Sequence, residues 1–166
     1  YQARPKLFEF NIKLPTPIYE QVAEVKERLD AVGKVVEALD EPAVYQALRA
    51  ARTEGIKSVA IALMHSYLNP VHEKRVAQIA ASEGFEQISV SHEISPLMKL
   101  VGRADTTVID AYLSPILKRY VSQISSEFEQ DHQAKLFFMQ SNGGLTDANM
   151  FRGKDAILSG PAGGVV

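Results

Sequence analysis

No cysteine occurs anywhere in the 166 residues. That absence excludes a disulfide framework, a thiolate zinc site and a cysteine nucleophile, so chemistry falls to Ser, Thr, His, carboxylates or backbone amides. Strong charge of either sign is also missing: 18 basic residues stand against 20 acidic ones, for a net charge of −2. Without an overall positive field, the balance argues against nucleic acid or an anionic membrane surface as the main partner. Any charge-driven site must be local. Long apolar runs are lacking too. Stretches such as Ser58 to Met64 are far too short to span a bilayer, and the N-terminus has no signal-peptide layout, which makes a cytoplasmic location the default expectation. There is no internal repeat and no low-complexity linker. What is present, 46% hydrophobic and 23% charged residues, suits an ordinary soluble domain with a real core.

The ends add a further expectation. The chain opens on Tyr1 rather than Met and closes on Gly163-Gly164-Val165-Val166, a glycine-rich turn entering another element, so it reads as a fragment of a longer polypeptide.

Residues 1–41 read as a β-hairpin and edge segment. Phe8, Phe10, Ile12 and Leu14 alternate with polar neighbours, the period of a half-buried strand, before Pro15 and Pro17 end it. Glu24 to Leu29 and Lys34 to Leu39 flank Asp30-Ala31-Val32-Gly33, which predicts a hairpin. A helix over Tyr19 to Leu29 is the alternative, because its charged residues are good helix formers.

Residues 42–166 read as an α/β core. Pro42, with Val44, Leu48 and Ala51 on one face, predicts a helix ending at Gly55. The run Val59 to Met64 predicts a strand buried on both faces. Asn69-Pro70 predicts a helix from Pro70 to Ser82 that stops at Gly84, and the strand Gln87 to Ser91 follows. From Arg103 to Gln130 apolar residues recur every four positions (Val108, Tyr112, Ile116, Tyr120, Ile124, Phe128), a helical pattern. Ser114-Pro115 marks a kink or a second start within it. Leu136 to Met139 predicts another short buried strand, and Ala156-Ile157-Leu158 a strand running into the last loop. The sum is a hairpin followed by β-α-β-α-β with parallel central strands.

Two glycine-rich segments are candidate sites. Ser141-Asn142-Gly143-Gly144 follows a predicted strand, where successive N–H groups can form an anion nest; the plain alternative is an Asn-Gly turn. Ser159-Gly160-Pro161-Ala162-Gly163-Gly164 suits a loop entering a helix N-terminus that holds phosphate oxygens, or a tight crossover. It matches neither the P-loop nor the dinucleotide fingerprint. His65, His72, His92 and His132, with Glu73 and Glu93, allow a metal site to be drawn, but their spacing fits hydrogen-bonding histidines at strand ends and in a first helical turn better. Arg103, Asp105, Thr106, Thr107 and Asp110 cluster where a helix start would place Asp105 or Thr106 as its cap. No catalytic triad can be assembled, and the catalytic residues stay unassigned.

In order along the chain, Arg4-Pro5-Lys6-Leu7-Phe8, Ser58-Val59-Ala60, Leu63-Met64-His65-Ser66-Tyr67 with Asn69-Pro70-Val71-His72-Glu73, Ser91-His92-Glu93, Thr106-Thr107 with Ala111-Tyr112-Leu113, Met139 to Leu145 and Ser159 to Val166 resemble the hydantoinase A/5-oxoprolinase family. The resemblance spans nearly the whole chain. It implies part of an actin-like ATPase, ribonuclease-H-like fold, and an enzyme that couples ATP hydrolysis, with Mg²⁺, to opening a small cyclic amide. The leading implied reaction is 5-oxoproline to glutamate. N-methylhydantoin hydrolysis, an ATP-dependent ketone carboxylase subunit and a non-catalytic docking domain are the alternatives.

A hydantoinase B-type subunit or domain is the implied partner. Asn142, Gly143, Gly144, Ser159, Gly160, Gly163 and Gly164 would line the nucleotide or substrate cleft, with no metal ligand among them. The family's Asp-x-Gly-Gly-Thr phosphate loops are absent, and would precede Tyr1 and follow Val166, so the isolated chain is expected to be inactive. Gly102 to Thr107 and Asp110-Ala111-Tyr112 replace the Glu-Arg-Thr-Ser-Thr-Thr and Asn-Ala-Tyr of many hydantoinase-like members, which leans toward a bacterial 5-oxoprolinase-like branch.

Overall fold

The computed structural model describes residue 10 and residues 16–128 and 136–165. The strand predicted over Phe8 to Leu14 lies outside the described residues except for Phe10, which sits in a bend with its ring in solvent. The first hairpin is present, and the alternative helix over Tyr19 to Leu29 is not. Strands β1 (Arg28–Leu29) and β2 (Val35–Glu37) pair antiparallel. Asp30 shapes their turn by accepting from Val32 N at 3.0 Å and Lys34 N at 2.8 Å, and Gly33 takes φ +82°. The ladder is shorter than predicted because its register shifts between Arg28 and Leu29.

Helix α1 (Glu41–Thr53) starts where Asp40 accepts from Ala43 N at 3.1 Å, with a proline in the first turn, and buries Val44 and Leu48. Strands β3 (Ser58–Ile61) and β4 (Gln87–Val90) pair parallel in continuous register, joined through α2 (Val71–Ser82). Here the sequence overestimates β3. Only Ile61 is buried, and Ala62 to Met64 leave the strand.

The alternation of β4 explains the layering. Val90 and Ile88 join Val76 and Ile79 of α2 and Val44 and Leu48 of α1 in the apolar core. Gln87 and Ser89 carry polar side chains to the opposite face. That face is covered by α4 (Leu100–Phe128), which follows the short α3 (Ser91–Ile94).

Helix α4 is continuous through Pro115 and begins before Arg103, so Asp105 and Thr106 lie inside it rather than capping it. Its four-residue apolar stripe faces outward: Tyr112, Ile116 and Tyr120 are 55%, 48% and 56% exposed. The buried face instead carries Arg103, Thr107, Asp110, Ala111 and Ser114.

Two further expectations are overturned. Strand β5 (Phe137–Met139) does not join β3 and β4; it pairs antiparallel with β6 (Leu145–Asp147). A parallel pairing needs a long crossover, whereas the Asn142-Gly143 turn, with Gly143 at φ +82°, returns the chain at once. The segment Ala156 to Leu158 is not a strand either. It closes α5 (Gly153–Ala156) and leads into α6 (Ser159–Gly163).

Candidate functional site

The two glycine-rich segments meet through one side chain. Ser141 donates its Oγ hydrogen to Asp155 O at 2.6 Å, its backbone N–H reaches the same carbonyl at 2.7 Å, and Leu158 N donates to Ser141 Oγ at 3.0 Å. The β5–β6 turn is thereby stitched to the α5–α6 connection. Asn142, Gly143, Gly144, Ser159, Gly160, Gly163 and Gly164 share one region, though they are far apart as strand and helix elements. Gly163 completes the contact, since a Cβ placed there would lie 3.6 Å from Met139 Cγ.

The donors that an anion nest would need are already engaged. Gly143 N bonds Gln140 O at 3.0 Å, and Gly144 N bonds Asn142 Oδ1 at 2.8 Å. The amides of Ser141 and Leu158 are taken as just described, so this turn is a closed Asx turn and not a phosphate cradle. What the region offers a ligand is low relief: a Cβ at Gly160 would meet nothing within 4 Å. Asn142 Nδ2 is also free of partners among the described residues.

The histidines do not converge. Among the described residues no group of three or more His, Asp or Glu side chains could hold a metal ion, and the side chains present do not fit Mg²⁺. His72 Nδ1 bonds Glu27 Oε2 at 2.6 Å, tying the segment before β1 to α2. His92 Nδ1 bonds Glu73 Oε2 at 2.6 Å. His65 sits at φ +59° with its Nδ1 buried and without a hydrogen-bond partner among the described residues, and His132 lies outside the described residues.

The sequence reading gave no buried role to the polar residues of α4, which anchor two relays. In the first, Arg103 donates Nε–H to Ser91 Oγ at 2.8 Å, and Ser91 donates to Glu73 Oε1 at 2.5 Å. The guanidinium also donates to Leu97 O and to Leu63 O, which lies two residues beyond β3. Glu73 further accepts from Leu63 N at 2.8 Å and His92 N at 3.0 Å. Burial alone would raise the Glu73 pKa, but the hydrogen bonds from Ser91, His92 and the two backbone amides outweigh it and hold the carboxyl below its ordinary range.

In the second relay Lys118 donates to Gln87 at 2.8 Å, Gln87 to Ser89 at 3.0 Å, and Ser89 to Asp110 Oδ2 at 2.7 Å. The other Asp110 oxygen accepts from Lys154 N at 3.2 Å, and Ser114 Oγ accepts from Gly153 N at 3.1 Å. A Cβ at Gly153 would come within 2.8 Å of Ser114 N, so only glycine allows α5 this close to α4. No pattern around Gly153 announced that role. The i, i+4 spacing of Arg103 with Thr107, and of Asp110 with Ser114, was the signal that could have found the polar buried face.

Two family profiles match the chain: the hydantoinase/oxoprolinase N-terminal region over residues 1–84, and hydantoinase/oxoprolinase over residues 103–166. The chain belongs to the hydantoinase/oxoprolinase family. Within that family it is 38% identical to 5-oxoprolinase of Saccharomyces cerevisiae, over 99% of this chain and 15% of that protein. It resembles the crystal structure of the ATP-dependent caprolactamase from Pseudomonas jessenii with a TM-score of 0.79 and 31% identity, over 97% of this chain and 25% of that one. A nucleotide-free acetone carboxylase matches with a TM-score of 0.77 and 29% identity, over 85% of this chain and 21% of that one. The chain thus spans 15% to 25% of the length of these relatives. Among the described residues no helix is long and apolar enough to cross a membrane.

Proposed function

We propose that this chain is part of an ATP-dependent cyclic-amide hydrolase, a 5-oxoprolinase that converts 5-oxo-L-proline to L-glutamate while ATP becomes ADP and phosphate. The observation that carries the reading is the stitching of two glycine-rich segments by Ser141, in a chain 38% identical over 99% of its length to a protein named 5-oxoprolinase. In this reading Asn142, Gly143, Gly144, Ser159, Gly160, Gly163 and Gly164 form a low wall of the nucleotide or substrate cleft. Asn142 Nδ2 supplies a donor, and the glycines let a ligand lie against backbone.

The phosphate-holding amides and the Mg²⁺ ligands belong to other parts of an actin-like ATPase fold, since the Gly143 and Gly144 amides that would form a nest are engaged. Coupling to ATP answers a physical need, because an unstrained lactam is a poor electrophile. Residues 1–41 act as the edge segment and 42–166 as the α/β core, in a cytoplasmic enzyme that works with a hydantoinase B-type subunit or domain. The isolated chain has no turnover.

A ketone carboxylase subunit is the second reading, favoured by the likeness to acetone carboxylase. ADP release by the full-length protein, with its partner subunit if separate, decides between them across 5-oxoproline, N-methylhydantoin and acetophenone. Stimulation by 5-oxoproline with stoichiometric glutamate is the expected result; stimulation only by a ketone with bicarbonate favours the carboxylase. Replacing Gly143 and Gly163 by bulkier residues tests the wall itself. Lost turnover with folding and assembly intact is expected, and unchanged turnover would assign the glycines to turns alone.

A further inference from the structure

The face of α4 opposite its buried one forms a single stripe. Arg103, Thr107, Asp110 and Ser114 are buried, and half a turn away stand Val101, Asp105, Val108, Tyr112, Ile116, Arg119 and Gln123. All of these are exposed except Val108, which is half-buried. The stripe runs about 33 Å along the helix at 1.5 Å per residue. Apolar residues scattered singly on a surface need no partner, whereas a line of them on one helix face, edged by charge, marks an interaction surface.

The order of the stripe is palindromic. Its steps are four, three, four, four, three and four residues, the same from either end, with Tyr112 at the centre. A second copy of α4 laid antiparallel across a two-fold axis at Tyr112 therefore sets Val108 against Ile116, Asp105 against Arg119 and Val101 against Gln123, each pair occurring twice. The steps average about 3.7 residues per turn, close to the pitch of a straight helix, so two such helices can stay in contact along the stripe with little supercoiling.

Charge selects this occupant and this orientation. Asp105 and Arg119 are the charged residues of the stripe, of opposite sign and each seven residues from Tyr112. They lie about 21 Å apart on one helix, too far to pair with each other. Neither takes part in an ion pair among the described residues. The antiparallel arrangement gives both a partner, while a parallel one would set Asp105 on Asp105 and Arg119 on Arg119. The flanks agree with it: Leu97 and Met98, exposed just ahead of α4, come level with the apolar C-terminal half of the other copy, which carries Tyr120 and Ile124.

We propose that α4 docks antiparallel on α4 of a second copy of this chain, forming a two-fold interface centred on Tyr112 and closed at each end by an Asp105–Arg119 pair. The interface is separate from the glycine-rich region and does not depend on which substrate the enzyme takes.

The test follows the full-length protein by sedimentation equilibrium. The wild type is expected to assemble with an even number of copies of the chain. Asp105→Arg sets like charges against each other at both ends of the stripe and should weaken that association at least about tenfold, and Arg119→Asp should do the same. The double variant Asp105→Arg with Arg119→Asp restores opposite charges at both places and should recover the wild-type affinity. Tyr112→Cys gives a readout that does not depend on the charge variants folding: a short thiol cross-link should join residue 112 of one copy to residue 112 of the other, located by mass spectrometry. A monomeric full-length protein, single variants that associate like the wild type, or a folded double variant that fails to recover would each overturn the proposal. So would the absence of that cross-link, or a cross-link from residue 112 to another segment of the same chain or to a different subunit.

Discussion

The buried face of α4 and the glycine-rich region are held in opposite ways. Around the N-terminal half of α4, Arg103 and Asp110 are buried and fixed by relays that run through Ser91 and Ser89 to the parallel strands. In the α5–α6 connection and the β5–β6 hairpin, glycine, one serine and turn geometry do the holding. The first region is fully hydrogen-bonded because a buried charge tolerates no missing partner. The second stays low and open, with Ile157, Leu158 and Val165 exposed beside its glycines. A scaffold held by buried charge and a glycine-rich surface held by turns thus differ in kind, and substitutions should separate them.

The largest effect is expected for Arg103→Ala. It removes three hydrogen bonds and leaves the Glu73–Ser91 pair without its cation, and loss of one member of a buried ionic network costs about 3–5 kcal/mol. A lowered urea midpoint checks it. Next comes Gly153→Ala, which presses a Cβ against the Ser114 backbone and should cost about 1–3 kcal/mol, read as a lower midpoint and faster proteolysis between residues 140 and 165.

Glu73→Gln sharpens the comparison through pH. The Glu73 pKa is lowered from its ordinary value of 4.5, so its ionised form adds stability that is full above that value and is lost as pH falls through the folded one. The variant should have a flatter acid limb than the wild type, and an unchanged limb would refute the assignment. Gly143→Ala, at φ +82°, should cost about 1–2 kcal/mol and act on the hairpin alone, visible as local loss of amide protection near residue 142. Smallest is Arg49→Ala, which breaks an exposed pair with Glu83 and should leave the unfolding midpoint in place.

The same contrast explains what could be read from the sequence. The first hairpin, α1, α2 and β4 were legible because Asp30, Asp40 and the apolar periodicity of α1 act locally. The pairing of β5 was not, since three apolar residues look the same in a parallel core strand and in a hairpin. The orientation of α4 was misleading: its tyrosines and isoleucine form the regular stripe, yet they are exposed while Arg103 and Asp110 are inside. Hydrophobic periodicity cannot find a face that is buried by hydrogen bonding. Of the candidate site, the grouping of Asn142 to Gly144 with Ser159 to Gly164 was readable as two glycine-rich strings. The engagement of their amides was not, because it depends on the distant Asp155 carbonyl and on the turn closing upon Gln140.

Hydrogen exchange of the full-length protein with and without ATP tests the division most directly. The account predicts that nucleotide adds protection at residues 140–144 and 158–165 and leaves the amides of β3, β4 and the first turn of α3 unchanged. Added protection confined to β3, β4 and α3, with none in the glycine-rich region, would contradict it.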